Sequence, residues 1–259
     1  MSAPFDGAPA DHLDELGPDG APLVVVVHGV MDRAESFLRL ARRLRSDTRV
    51  VCYDRRGYAR SCQLSPAHGL DTHVEDLAEV LQRCGPAVLF GHSLGGVVAL
   101  ALAARRPDLV RGVATYEAPA LWEPWWPTGL AGGWALAHEA EGGPAVAEGF
   151  MRRVIGERAW ARLGPSVQDE RRQEGTALLA ELAAAREVDP VPAGGLSVPA
   201  VVAYGGRSDD AHQRAARELA VRLVAPLVRV EEAEHGAHLS HPDELAAVVR
   251  LAVGLAAVG

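Results

Sequence analysis

The sequence contains a serine at the centre of Gly91-His92-Ser93-Leu94-Gly95, which has the spacing G-x-S-x-G. The motif follows the apolar run 87–90 and precedes a stretch of helical composition, so Ser93 falls on a turn from strand to helix. Such a turn strains its middle residue and needs small residues two positions away on either side. The pattern favours Ser93 as a nucleophile over a glycine-rich turn that merely holds a serine.

A serine hydroxyl becomes a competent nucleophile near neutral pH when a neutral imidazole accepts its proton and a carboxylate orients that imidazole. Three histidines follow the apolar run 228–230, namely His235, His238 and His241. Neither H-E-x-x-H nor paired-cysteine spacing occurs, so we expect no metal site and no cofactor. The chemistry indicated is therefore nucleophilic catalysis by side chains alone.

Elements that could position these residues alternate along the chain. Short apolar runs predict buried parallel strands at 22–27, 48–53, 87–90, 110–116, 199–204 and 228–230, with a reduced edge strand around 12–16. Helical segments are predicted at 34–45, 72–82 and 96–106. The alternation predicts an α/β fold with a mostly parallel sheet and right-handed crossovers.

The stretch 120–192 breaks this alternation and holds all five tryptophans of the chain. We interpret it as an inserted helical cap, with residues 1–119 and 193–259 forming the α/β core. Within the cap, 166–188 has helical spacing and few breakers, which predicts one long helix. Large aromatic side chains suit pockets and cores alike, so the side chains of Trp122, Trp125 and Trp126 either bind substrate or pack the cap onto the core.

Four stretches resemble the α/β-hydrolase superfamily in consecutive order from about Leu23 onward. They are VVVVHGVMDRAESFLRLARRL, VVCYDRRGYARS, VLFGHSLGGVVALALAARRPDLVRGVATYEAP and EEAEHGAHLSHPDELAAVV. The resemblance implies the α/β-hydrolase fold and the branch that uses serine as its nucleophile, here Ser93. It also implies that the backbone N–H groups of Val30 and Leu94 form an oxyanion hole.

The same resemblance implies a choice among the late histidines. His235 is similar to the catalytic histidine of the family, because it follows the last predicted strand and stands seven residues before Pro242. His238 matches a position where the family often has a histidine without catalytic duty. His241 adjoins the proline and comes too late for the tip of the loop. His235 is therefore the expected base.

The expected acid follows the predicted strand 199–204. There Gly206 and Asp209 resemble the G-x-x-D segment of the family, although one extra residue stands between Pro199 and the aspartate. Asp209 is the preferred acid, with its neighbour Asp210 as an alternative. Glu117 is another, because it ends the strand after the nucleophile helix, from which some hydrolases present their acid.

The function implied is hydrolysis of a carboxylic ester, as by a carboxylesterase, through an acyl-enzyme intermediate. The same arrangement in the family also serves lactones, thioesters, carbon–carbon cleavage and perhydrolysis, and a member that has lost turnover can keep the fold only to bind a small molecule. A serine in place of an aspartate argues against the epoxide hydrolase and haloalkane dehalogenase branches, whose ester intermediate needs a carboxylate.

Composition narrows the choice of partners. A net charge of −8 argues against nucleic acid, because binding the phosphate backbone needs clustered cations. The sequence shows no leader-like start and no apolar span, so we expect a cytoplasmic protein without a membrane partner. The expected partner is a small-molecule acyl substrate, and a homo-oligomer is left open.

Overall fold

The computed structural model describes residues 8–64 and 69–258. Its strands are β1 (Leu13–Leu16), β2 (Leu23–Val27), β3 (Arg49–Tyr53), β4 (Ala87–His92), β5 (Val110–Tyr116), β6 (Ala200–Gly205) and β7 (Leu227–Val230). They form one sheet in the order β1-β3-β2-β4-β5-β6-β7, in which only β1 pairs antiparallel. The predicted α/β fold with a mostly parallel sheet is confirmed.

The helices lie in the connections between these strands, except the last two, which follow β7. They are α1 (Leu38–Leu44), α2 (Leu70–Cys84), α3 (Leu94–Arg105), α4 (Ala131–Ala137), α5 (Gly143–Ile155), α6 (Glu157–Trp160), α7 (Pro165–Gln173), α8 (Gly175–Ala185), α9 (Asp210–Leu223), α10 (Ala237–Ser240) and α11 (Pro242–Ala256). Helices α4 to α8 all fall between β5 and β6, within the segment predicted as a cap, and we refer to these helices as the cap. Across the described ranges, no helix has both the length and the apolarity needed to cross a membrane.

Strand β2 shows why the central strands read as unbroken apolar runs. Val25 and Val27 pack into the hydrophobic cluster on one face of the sheet, whereas Val24 and Val26 pack into the cluster on the other. Helices cover both faces of a parallel sheet, so consecutive side chains are all buried although they point in opposite directions. Because these strands run parallel, their carboxyl ends meet at one edge of the sheet, where polar residues begin.

The prediction of a single long helix over 166–188 is wrong in one respect. The structure has two helices, α7 and α8, which meet at Glu174 and Gly175. A Cβ atom on Gly175 would overlap the carbonyl group of Gly143 at the start of α5, so the chain bends where two backbones touch. Glu174 turns inward at this bend and accepts a hydrogen bond from the backbone N–H of Ala59 at 3.0 Å.

A buried ion pair joins the cap to the core. The guanidinium of Arg55, in the loop after β3, pairs with the carboxylate of Glu181 on α8, and the hydroxyl of Tyr58 donates to the same carboxylate at 2.7 Å. Burial alone would raise the pKa of Glu181, but the charge and hydrogen bonds of Arg55 and the Tyr58 hydroxyl help to hold this pKa at about 2. The pair therefore remains charged inside the protein.

Replacing Arg55 with Met should strongly destabilise the fold, because it leaves the Glu181 carboxylate buried without its cation. We expect the free energy of unfolding, measured by urea denaturation at pH 7, to fall by about 3–5 kcal/mol. Arg106→Met is a matched control that removes an exposed pair with Asp108, and its loss should be much smaller. Equal losses in the two variants would show that the buried pair does not anchor the cap.

Candidate active site

Ser93 occupies the turn between β4 and α3, as the motif predicted. Its backbone has φ 53° and ψ −129°, a strained conformation for a residue with a side chain. The N–H of Ser93 donates to the carbonyl oxygen of Tyr116 on the neighbouring strand β5 at 2.9 Å. This bond ties the strained turn to the end of the sheet.

The glycines of the motif allow this turn to pack closely. A Cβ atom on Gly95 would overlap the carbonyl oxygens of Val27, which ends β2, and of His28, which follows it. A Cβ atom on Gly91 would overlap the backbone of Gly96 in the first turn of α3. Both positions therefore exclude any side chain, which explains why glycine stands two residues before and after Ser93.

The loop after β2 lies directly against the serine. A Cβ atom on Gly29 would stand 2.9 Å from the Cβ of Ser93. Val30, the next residue of that loop, and Leu94, the first residue of α3, line the same cavity as Ser93. The structure thus brings both predicted oxyanion donors to the site. Their role in holding an oxyanion stays a prediction.

His235 lies in the loop after β7, and its ring is held by Glu117. The Nδ1 atom of His235 is 2.6 Å from Oε2 of Glu117. The other carboxylate oxygen, Oε1, accepts the backbone N–H of Gly205 at 2.8 Å and the hydroxyl of Ser208. Glu117 is buried and has φ 52°, a second strained residue at the carboxyl end of the sheet.

The surroundings of this pair set its charges. Burial alone would raise the pKa of Glu117, but its hydrogen bond to His235, the nearby His212 and the hydrogen bond from Ser208 help to lower the pKa below the usual 4.5. Burial lowers the pKa of His235 below 6.5, while its hydrogen bond to Glu117 opposes that shift. The His235 side chain is 38% exposed, and it lines the cavity that also contains Ser93. A neutral imidazole with its proton on Nδ1, facing an ionised carboxylate, follows at neutral pH.

Asp209 does not hold the position that the sequence analysis gave it. Its Oδ1 caps α9 by accepting the backbone N–H groups of Ala211 and His212 at 3.1 and 3.0 Å. Its Oδ2 lies 2.6 Å from Nδ1 of His212. Both carboxylate oxygens are thus engaged with α9, and the carboxylate on the ring of His235 belongs to Glu117. The expected placement of the acid is corrected accordingly.

The sequence held a signal for this difference. One residue more than the family pattern stands between Pro199 and Asp209, and Asp209 lies at the N-cap of α9. Asp210, the other neighbouring candidate, is the first residue of α9 and is exposed. Glu117, the alternative acid, lies at the end of β5, and that position brings it to the histidine.

The remaining histidines near the site have other partners. Nε2 of His238 lies 3.2 Å from a carboxylate oxygen of Asp32 in the loop after β2. Nε2 of His92 is 2.8 Å from the backbone oxygen of His235, to which it donates when protonated there. His241 is not among the described residues that line the cavity. These contacts brace the loops of the site, and His92 links the nucleophile turn to the loop of the base.

Within residues 8–64 and 69–258, two groups of side chains have the types and spacing to hold a metal ion. Within each group, the candidate ligand atoms lie within 4.8 Å of one another; the groups are Asp32, His92 and His238, and Glu117, His212 and His235. Hydrogen bonds already join members of each group, as described above. The expectation of a site without metal or cofactor stays a prediction.

A cavity of about 710 Å³ opens over Ser93 and His235 beneath the cap. Trp126 lines it, in agreement with one of the three tryptophan predictions. Trp122 and Trp126 both pack against the hydrophobic core, and the ring of Trp125 lies 4.0 Å from the guanidinium of Arg214. Trp122 and Trp125 are not in the described lining, so for these two the structure favours packing over substrate binding.

The cap also contacts the loop that carries Val30, a feature that sequence analysis missed. Arg171 on α7 donates to the backbone oxygen of Met31 at 2.8 Å, and it pairs with Glu174 at 3.3 Å. Arg33, in the same loop, pairs with Glu174 at 3.1 Å. No local pattern predicts the contacts of Arg171 with Met31 and of Arg33 with Glu174, because each joins residues about 140 positions apart.

Comparison with known proteins gives one family. A sequence model described as "Alpha/beta hydrolase family" matches residues 24–248. Lipase LipV of Mycobacterium tuberculosis is 37% identical over 108 residues, and the bifunctional esterase/perhydrolase DCH of Acinetobacter calcoaceticus is 35% identical over 97. These matches cover 41% and 36% of this chain, and 41% and 35% of those proteins. A hydrolase structure from Pseudomonas aeruginosa PA01 covers 93% of both chains, with a TM-score of 0.75 and 23% identity.

The charge balance at His235 can be measured by NMR titration of its ring. We expect a pKa below 6.5, and Glu117→Gln should lower it further, because the carboxylate that stabilises the imidazolium is lost. Glu234→Gln, at the residue before His235, is the matched control and should change this pKa less. An unchanged or higher pKa in Glu117→Gln would contradict the described contact.

Proposed function

Because the chain belongs to the alpha/beta hydrolase family, we propose that it is a serine hydrolase that cleaves carboxylic esters through an acyl-enzyme. One observation carries the proposal. A serine on a strained strand-to-helix turn, Ser93, shares a cavity with His235, whose Nδ1 is held by the buried carboxylate of Glu117. A nucleophile, an imidazole and its orienting acid are the parts that acyl transfer needs.

The mechanism assigns one role to each of these groups. Nε2 of His235 accepts the proton of the Ser93 hydroxyl as its oxygen attacks the ester carbonyl. The imidazolium that forms is stabilised by Glu117, which stays ionised. His235 then returns the proton to the leaving alcohol, and a water molecule, activated by the same imidazole, hydrolyses the acyl-enzyme.

The charge that develops on the carbonyl oxygen requires donors on the other side of the serine. Leu94 opens α3, where backbone N–H groups are free and the helix dipole is positive. Val30 follows Gly29, whose backbone touches Ser93. The contact of Arg171 with Met31 would keep this loop in place while the charge develops, since donors fixed in advance cost no reorganisation.

The cavity indicates an apolar acyl group. Most of its cap-side lining is aliphatic or aromatic, and includes Leu121, Leu130, Phe150, Met151, Val154, Ile155, Leu163 and Leu182. A pocket of this size and lining suits a short or medium acyl chain or a ring. The names of two relatives, a lipase and an esterase/perhydrolase, agree with ester substrates over the matched part of the chain.

Removal of the nucleophile tests the proposal. We expect the wild type to hydrolyse p-nitrophenyl esters in a series from acetate to long acyl chains, and Ser93→Ala to reduce kcat by about 10⁶-fold. Ser240→Ala, at an exposed serine outside the described cavity lining, is the matched control and should retain activity. The acyl chain length that gives the highest kcat/KM would indicate the length of the acyl pocket.

Two outcomes would contradict the proposal. Activity that survives in folded Ser93→Ala, with circular dichroism like that of the wild type, would place the chemistry elsewhere. A folded wild type that hydrolyses no ester of the series would favour carbon–carbon cleavage or a binding role for the same site.

A further inference from the structure

A second carboxylate–imidazole pair stands beside the first. Nδ1 of His212 lies 2.6 Å from Oδ2 of Asp209, and the rings of His212 and His235 have their centroids 4.8 Å apart. Asp209 is itself fixed by two backbone N–H groups of α9. The aspartate that sequence analysis expected to orient the base thus orients a different imidazole, which adjoins the base.

The hydrogen bond to Asp209 determines which nitrogen of His212 is available to a ligand. Burial alone would raise the pKa of Asp209, but its hydrogen bonds to His212 and Ala211 help to lower it to about 2, so the carboxylate is ionised and can only accept. The Nδ1 atom of His212 therefore carries the proton, and Nε2 of the neutral ring is an acceptor. No described residue donates to Nε2, and the ring lines the cavity.

The position of His212 relates it to one part of the substrate. In ester cleavage the catalytic imidazole must reach the leaving oxygen to protonate it, so groups beside His235 adjoin the alcohol portion of the ester. Trp126 completes this side of the cavity, with its ring in edge contact with His212 at a centroid distance of 5.1 Å. The alcohol portion would thus meet an aromatic wall and one free acceptor nitrogen.

We propose that His212 is a specificity-determining residue whose Nε2 accepts a hydrogen bond from a hydroxyl group on the alcohol portion of the ester. The proposal rests on the ester hydrolase function proposed above. A substrate with an apolar alcohol portion would displace water from Nε2 and leave that atom without a partner. A substrate with a hydroxyl there would satisfy it, and sites with buried polar groups discriminate on this basis.

Two matched pairs of esters test this inference: 2-hydroxyethyl against n-propyl butanoate, and 3-hydroxypropyl against n-butyl butanoate. Within a pair the alcohols have nearly the same size and differ in one terminal hydroxyl. Hydrolysis is followed by pH-stat titration at pH 8, and each ratio of kcat/KM is divided by the ratio for alkaline hydrolysis. The wild type should favour the hydroxylated ester of at least one pair by about 3–10-fold.

His212→Phe keeps an aromatic ring against Trp126 but has no acceptor, so the corrected ratio should fall to about one. His212→Gln supplies an amide oxygen as acceptor and should restore part of the preference, which a purely structural role of the ring would not explain. His12→Phe, at an exposed histidine outside the described lining, should keep the wild-type ratio. Ratios are compared because His212 lies too close to His235 for the overall rate to stay fixed.

The outcomes separate the two proposals. If the wild type hydrolyses the esters but shows no preference in either pair, or if His212→Phe keeps the preference, the inference about His212 is wrong while the hydrolase function stands. If the wild type hydrolyses neither member of either pair nor the p-nitrophenyl esters, both proposals fall together. A preference lost in His212→Phe and partly restored in His212→Gln supports both.

Discussion

The site depends on one hydrogen bond, between the buried carboxylate of Glu117 and Nδ1 of His235. A carboxylate taken out of water is tolerated only when charged or donor groups compensate it. Here the imidazole, the N–H of Gly205 and the hydroxyl of Ser208 do so. These donors come from β6 and from the loops after β6 and β7. The three hydrogen bonds to Glu117 therefore fix the relative positions of these chain segments.

The sheet makes this meeting of distant residues possible. The carboxyl ends of parallel strands lie at one edge, and ligands of open α/β sheets bind outside that edge. Ser93 follows β4, Glu117 follows β5, and His235 follows β7. The cap covers this edge and is held there by the buried pair of Glu181 with Arg55 and by the partly buried hydrogen bond of Arg171 to Met31. An apolar cavity with a small number of fixed polar groups is the result.

The parts that sequence could predict are those whose cause is local. The buried strands and the turn at Ser93 follow from apolar runs and from glycines at fixed spacing, so the sequence alone was enough to locate both. The acid could not be located in this way, because Glu117, Asp209 and Asp210 all end or follow strands, and only the path of the chain decides which one reaches His235. One extra residue stands between Pro199 and Asp209, and Asp209 caps α9 instead of reaching His235.

The same distinction explains the errors in the cap. The bend between α7 and α8 arises where Gly175 touches Gly143, a contact between helices that the helical spacing of 166–188 does not contain. Among the tryptophans, Trp122 and Trp126 both pack against the core, but only Trp126 is in the described cavity lining, although both occur in one short aromatic segment. Orientation of this kind is set by packing between elements and not by residue type.

The most direct test of this account compares Glu117→Gln with Asp209→Asn in the hydrolysis of a simple p-nitrophenyl ester. The asparagine can still cap α9, so both variants replace one carboxylate by an amide of the same shape. We expect Glu117→Gln to lose about 10³–10⁴-fold in kcat, because the imidazole loses the carboxylate that fixes its tautomer. Asp209→Asn should lose far less. The opposite order, with the large loss in Asp209→Asn, would contradict the central role of Glu117.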